Sequence, residues 1–101
     1  MSNYVRLNVQ DDGLAFIVLT RSKVNALSQE MINSLIEAVI SVKTNANIRA
    51  VIISSNQSQF CAGADLKERK DMTPKKISKA VKKIGECFDL IQNIEVPTIC
   101  A

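Results

Sequence analysis

Phe60-Cys61-Ala62-Gly63-Ala64-Asp65-Leu66-Lys67-Glu68-Arg69 is the stretch on which the fold of this 101-residue chain turns. It follows Ala50-Val51-Ile52-Ile53-Ser54-Ser55, a short β-branched run that predicts a buried strand. It then opens a polar, helix-compatible segment. The reading is a strand, a tight turn at Gly63 and a helix start, where backbone N–H groups lack intrahelical partners and point outward. Donors held in that way can stabilise negative charge developing on a substrate oxygen.

Upstream of this stretch, Ser28 is a predicted N-cap, with Glu30 in the first turn to suit the helix dipole. Ile32, Leu35, Ile36, Val39 and Ile40 recur at helical spacing, and the helix should end near Thr44 or Asn45. Further back, Val5, Leu7 and Val9 alternate with Tyr4, Arg6 and Asn8, the pattern of a half-buried strand. Asp11-Asp12-Gly13 turns that strand into Leu14-Ala15-Phe16-Ile17-Val18-Leu19-Thr20. The second run is apolar on both faces, which predicts a strand covered on both sides. Arg21 to Asn25 reads as a polar connection.

Downstream, Thr73-Pro74 marks a second long helix through Ile77, Ala80, Val81, Ile84, Cys87, Phe88 and Ile91. Val96-Pro97-Thr98-Ile99-Cys100-Ala101 begins another buried strand. The predicted order is β-β-α-β, a turn with a short helix, then α-β. Strands alternating with helices imply an α/β fold with right-handed crossovers and parallel pairing. Apolar residues continue to the last position without a turn signal. Residues 1–101 are therefore expected to form the N-terminal part of one longer domain, interrupted within a strand. A complete small α/β domain is the alternative.

Composition narrows the function. Hydrophobic residues make up 47% and charged residues 23%, as in globular domains. A net charge of +3 is too small to argue for nucleic acid by itself. No run of eighteen apolar residues suggests a membrane span. The N-terminal residues lack the apolar core of a secretory signal, and no organelle leader is visible. Cys61, Cys87 and Cys100 form no CxxC pair, which suits a reducing compartment, mitochondrial matrix or cytosol. There is no histidine, hence no histidine-based triad or metal site, and no metal is expected.

Asn25-Ala26-Leu27, the helix after it, Phe60-Cys61-Ala62-Gly63-Ala64-Asp65-Leu66 and Val96-Pro97-Thr98-Ile99-Cys100-Ala101 together resemble the crotonase superfamily of enoyl-CoA hydratases and isomerases. The likeness runs through the whole chain in order and spacing. It implies the ClpP/crotonase fold, a spiral of βαβ units of which this chain would be the N-terminal ββαβ(α)αβ portion. Ala62-Gly63-Ala64-Asp65-Leu66-Lys67-Glu68-Arg69 is most similar to the hydratase homologues described as AU-rich-RNA-binding, whose members hydrate methylglutaconyl-CoA in leucine breakdown.

The resemblance implies that the Ala64 N–H is one of two oxyanion-hole donors on a thioester carbonyl. Hydration of a conjugated thioester builds enolate charge there, and one such donor is worth roughly 3 kcal/mol. Gly63 would allow the turn, and the small Ala64 would let a ligand reach the backbone. Ala26, Leu27, Ala62, Asp65 and Leu66 resemble positions lining CoA, while Lys23 and Lys67 would meet its phosphates. CoA is then the carrier of the substrate, and no separate cofactor is implied. The family's second donor and its acid/base glutamates have no counterpart among these residues. Glu68 and Glu86 do not occupy those positions, so the 101-residue chain alone is expected to be inactive. Related proteins form trimers and paired trimers, so a homotrimer or hexamer is expected of the intact protein.

Other readings stay open. Alone, Asn25-Ala26-Leu27 also reads as a loop and helix entry, and Ala62-Gly63-Ala64-Asp65 as a tight turn. Cys61 reads as a packed small residue, since nothing supplies an activating base. Isomerase or hydrolase chemistry is compatible with the same scaffold, and so is a non-catalytic fragment that packs against other subunits. RNA binding is disfavoured. The segment after Ser28 carries Gln29, Asn33, Glu37 and Asn47 where the RNA-binding homologues carry lysines, and only Lys43 remains. Lys75, Lys76, Lys79, Lys82 and Lys83 read as a solvated helix face.

Overall fold

The computed structural model describes residues 4–101; residues 1–3, part of the N-terminal reading above, lie outside the described residues. Seven elements follow the expected order: β1 (Val5–Val9), β2 (Leu14–Leu19), α1 (Gln29–Lys43), β3 (Ala50–Ser55), α2 (Leu66–Arg69), α3 (Pro74–Gln92) and β4 (Thr98–Cys100). The strands form one mixed sheet in the order β1-β2-β3-β4. The β1–β2 hairpin is antiparallel, with Val5 opposite Leu19 and Leu7 opposite Ile17. β3 lies parallel to β2, with Ile17 opposite Ile53, and β4 lies parallel to β3, with Cys100 opposite Ile53. Each parallel step is made through a helix, as chain geometry requires.

Both long helices begin where side chains satisfy their first amides. Ser28 Oγ accepts from the Met31 N–H at 3.1 Å, and Thr73 Oγ1 from the Lys76 N–H at 3.3 Å. Pro74 follows Thr73 at a position that needs no N–H. α1 buries Met31, Ile32, Leu35, Ala38, Val39 and Val42, and ends at Thr44. α3 buries only Ala80 and Cys87.

The core lies between these helices and one face of the sheet, built from Val5, Ala15, Ile17, Leu19, Val51 and Ile53. This departs from the expectation that β2 is covered on both sides. Ala15, Ile17 and Leu19 are buried, while Leu14, Phe16 and Val18 on the opposite face are half-buried. Within the described residues the packed helices supply cover on one side, and the apolar character of the second face is left uncompensated.

Candidate active site

The site grows from two loops that the parallel sheet brings side by side, the one after β2 and the one after β3. Asn25 joins them. It is fully buried, has a left-handed φ of 55°, and sits among residues where asparagine is one of the few side chains tolerated in that region. Its Oδ1 accepts from the Arg21 N–H at 2.8 Å. Its Nδ2 donates to Ser55 Oγ at 2.6 Å and to the Phe60 carbonyl at 2.9 Å. Cys61 adds a second tie, donating through Sγ to the Asn25 carbonyl at 3.3 Å and accepting from the Gly63 N–H at 3.4 Å. The Cys61 thiol is thus engaged in holding the loops, in line with a packing role.

Next along the chain, Leu27 and Ala64 form an isolated parallel bridge. The Leu27 N–H donates to the Gly63 carbonyl at 2.7 Å, and the Asp65 N–H donates to the Leu27 carbonyl at 3.3 Å. The consequence for Ala64 is geometric. In a planar trans peptide, C=O and N–H point in opposite directions. The Gly63 carbonyl faces Leu27, so the Ala64 N–H on the same peptide plane faces away from it. No acceptor for that N–H is found among the described residues. Gly63 makes the reversal with φ of 88°, a conformation costly for any residue with a Cβ.

Ala64 lines an open cavity of about 540 Å³ together with Arg21, Lys23, Ala26, Ala62, Asp65, Leu66 and Lys67. Seven of the nine residues singled out in the sequence therefore share one cavity wall. Leu27 and Gly63 do not line it. Leu27 is buried and faces a separate apolar cleft of about 250 Å³, shared with Leu35, Ile53, Phe60, Cys61 and Phe88. Leu27 thus enters the site through its backbone, and Gly63 through its turn.

The short helix expected after the turn is α2. α2 is a single turn of four residues, and its N-cap is filled by Asp65, whose Oδ1 accepts from the Glu68 N–H at 3.2 Å. The outward donor is therefore not one of α2's own amides; it is the Ala64 N–H just ahead of the cap.

Electrostatics around the donor are set by Arg21 and Asp65. Arg21 Nη2 lies 2.8 Å from Asp65 Oδ2, and Arg21 Nη1 donates to the Ala26 carbonyl at 2.7 Å. The guanidinium also lies 5.4 Å from the Tyr4 ring centre. Desolvation pushes the Asp65 carboxyl upward. The Glu68 N–H, the Arg21 hydrogen bond and charge, and the Lys67 N–H outweigh it and hold the group below the ordinary carboxylate value. Asp65 is a committed carboxylate, and among the described residues that line the cavity it is the only acidic one. Glu68 is occupied elsewhere: its carboxylate accepts the Gln29 N–H at 3.1 and 3.2 Å, across 39 positions of sequence. It caps the first amide of α1.

The sequence reading missed Arg21, Asn25 and the Glu68 link as parts of the site. The one local signal was asparagine in a polar connection, a residue type suited to a left-handed turn. Arg21 and Asp65 stand 44 positions apart, so no periodicity joins them. On α1 the exposed positions are Glu30, Asn33, Glu37, Ile40, Ser41 and Lys43, one cation against two carboxylates. That face has no cation cluster for a nucleic acid.

A family profile described as enoyl-CoA hydratase/isomerase matches residues 10–101. The chain is 38% identical over 98 residues to a protein of Arabidopsis thaliana named probable enoyl-CoA hydratase 2, mitochondrial, covering 95% of this chain and 33% of that one. It is 42% identical over 78 residues to the human methylglutaconyl-CoA hydratase, mitochondrial, covering 76% of this chain and 23% of the human protein. Its fold superposes on the crystal structure of enoyl-CoA hydratase from Bacillus anthracis with a TM-score of 0.91 and 28% identity, covering 97% of this chain and 39% of that one. The chain thus spans about a quarter to two-fifths of the length of these relatives. The match over nearly the whole sequence and the shared mixed sheet lead to one conclusion: this chain belongs to the enoyl-CoA hydratase/isomerase family of the crotonase superfamily.

Proposed function

We propose that the cavity beside Ala64 receives the thioester of an acyl-CoA, with the Ala64 N–H donating to the thioester carbonyl oxygen. One observation carries this reading: the peptide plane that bonds Leu27 through the Gly63 carbonyl turns its N–H toward the other side, at a residue that lines the cavity. A donor fixed before reaction favours the charged, enolate-like oxygen over the neutral carbonyl. Ala26, Ala62, Asp65 and Leu66 form the walls, Leu27 supports them from behind, and Lys23 and Lys67 offer cations to CoA phosphates. CoA arrives as part of the substrate, and the reading calls for no further cofactor.

The reaction proposed for the whole protein is addition of water to a 2-enoyl-CoA, in a homotrimer or hexamer of the mitochondrial matrix or cytosol. Several relatives are named as mitochondrial hydratases, which supports that choice. Water addition needs carboxylates aimed at the reacting carbons. Asp65, the acid on this wall, is tied to Arg21 and the Glu68 N–H. The 101-residue chain is therefore proposed to bind acyl-CoA without hydrating it.

Titration calorimetry of acetoacetyl-CoA into the chain and into its Ala64→Pro variant tests the reading. Proline removes the N–H and leaves both hydrogen bonds of the Leu27–Ala64 bridge in place. Binding should weaken roughly tenfold, the share of one hydrogen bond to a carbonyl oxygen. Equal affinity of the two proteins overturns the assignment.

A further inference from the structure

We propose that Arg21 is a positioning residue for the Ala64 amide, clamping both sides of the Leu27–Ala64 bridge so that the donor stays turned to the cavity. This rests on the reading of that amide given above and names the group that holds it.

The bridge is slender. It consists of two hydrogen bonds, at 2.7 and 3.3 Å, and one more backbone bond joins the same loops ahead of it, from the Ala62 N–H to the Val24 carbonyl at 2.9 Å. So few backbone bonds at a half-exposed loop open readily unless something else ties the strands. Asn25 and Cys61 tie the loops ahead of the bridge, and Arg21 ties them across the bridge itself. Ala26 precedes Leu27 on one strand, and Asp65 follows Ala64 on the other. The guanidinium donates through Nη1 to the Ala26 carbonyl at 2.7 Å and through Nη2 to the Asp65 carboxylate at 2.8 Å. One planar cation therefore spans the bridge.

Arg21 is itself well anchored. Its N–H is held by Asn25 Oδ1, its guanidinium lies by the Tyr4 ring, and its side chain is 23% exposed. The other end of the tie is shared: Asp65 Oδ1 accepts the Glu68 N–H while Oδ2 meets Arg21, so the ion pair and the start of α2 depend on one carboxylate. The fork of an arginine fits two acceptors at once, whereas the single ammonium of a lysine reaches one.

The test uses Arg21→Lys and Asp65→Asn in this chain. The first keeps the charge and loses the fork. The second keeps a side chain able to cap α2 and loses the charge. Amide hydrogen exchange reads the bridge at Leu27 and Asp65, with Ile17 and Val51 as controls in the sheet. Acetoacetyl-CoA and free CoA titrations read the donor. In both variants the Leu27 and Asp65 amides should exchange roughly tenfold faster or more, with Ile17 and Val51 unchanged. The preference for acetoacetyl-CoA over free CoA, which has no thioester carbonyl, should fall roughly tenfold in both variants, whatever the change in CoA affinity itself. Unchanged exchange at Leu27 and Asp65 in both variants overturns the clamp, and so does faster exchange with an unaltered preference for acetoacetyl-CoA. A wild-type chain that fails to prefer acetoacetyl-CoA over CoA sinks the thioester reading instead, and the exchange data then decide the clamp alone.

Discussion

Ala64 and Asp65 are neighbours with opposite fates. The first keeps a backbone donor that the fold does not use; the second spends both carboxylate oxygens on the fold. The pH dependence of stability follows from Asp65. Its folded value is depressed, so its contribution is complete above the unfolded value of about 3.9 and is lost as pH falls through the folded value. Urea midpoints should hold steady from neutral pH down to roughly 5, then decline more steeply in wild type than in Asp65→Asn. Parallel declines would remove the ion pair from the account. Gly63 provides a cleaner backbone test. A Cβ added there meets no atom within 4 Å, so Gly63→Ala pays only for φ of 88°. The expected destabilisation is roughly 1–2 kcal/mol by chemical unfolding; none at all would mean the loop relaxes to another path. The residues flanking the donor were legible in the sequence because Gly63 announces its own turn. Asn25 and Arg21 were not, because a buried asparagine and a long-range ion pair leave no local pattern.

At the level of elements, the sequence spoke most clearly through caps and periodicity. Ser28, Thr73-Pro74 and Asp11-Asp12-Gly13 all stand where the chain turns or a helix begins. The short helix α2 was legible too: Gly63 and Asp65 open it, and the Thr73-Pro74 start of α3 leaves it little room. The one-sided cover of β2 was missed, because a run apolar on both faces reports what the strand can bury, and not which neighbours are present. α1 begins under two caps, one local and one distant, Ser28 Oγ and the Glu68 carboxylate. Ser28→Ala should cost about 1 kcal/mol, roughly 4–8 °C in Tm for a domain of this size. A Tm within a degree of wild type would show that Glu68 alone secures that end. On α3, burial pushes the Cys87 thiol up to about 11, while Cys100 is exposed. Iodoacetamide at neutral pH should modify Cys100 in the folded chain and reach Cys87 only on unfolding. Early labelling of Cys87 would show that α3 does not stay packed on the core.

For the whole molecule, the site and the uncovered surfaces have one origin. The parallel sheet aligns the loops after β2 and β3 at one end, and both long helices occupy one face. Ile99, Phe88, Val81 and Phe60 are left between 39% and 58% exposed. Apolar surface of that kind drives association. Sedimentation velocity should show concentration-dependent assembly of the 101-residue chain, reduced by Phe88→Lys; a monomer at all concentrations would contradict this. None of these surfaces tests the chemistry as directly as the Ala64 amide does. The decisive measurement is the proton–nitrogen NMR signal of Ala64 during titration with acetoacetyl-CoA and, separately, with free CoA. The account predicts a downfield amide shift that saturates with the thioester and is absent with CoA. An Ala64 signal that stays in place while acetoacetyl-CoA binds elsewhere would contradict it.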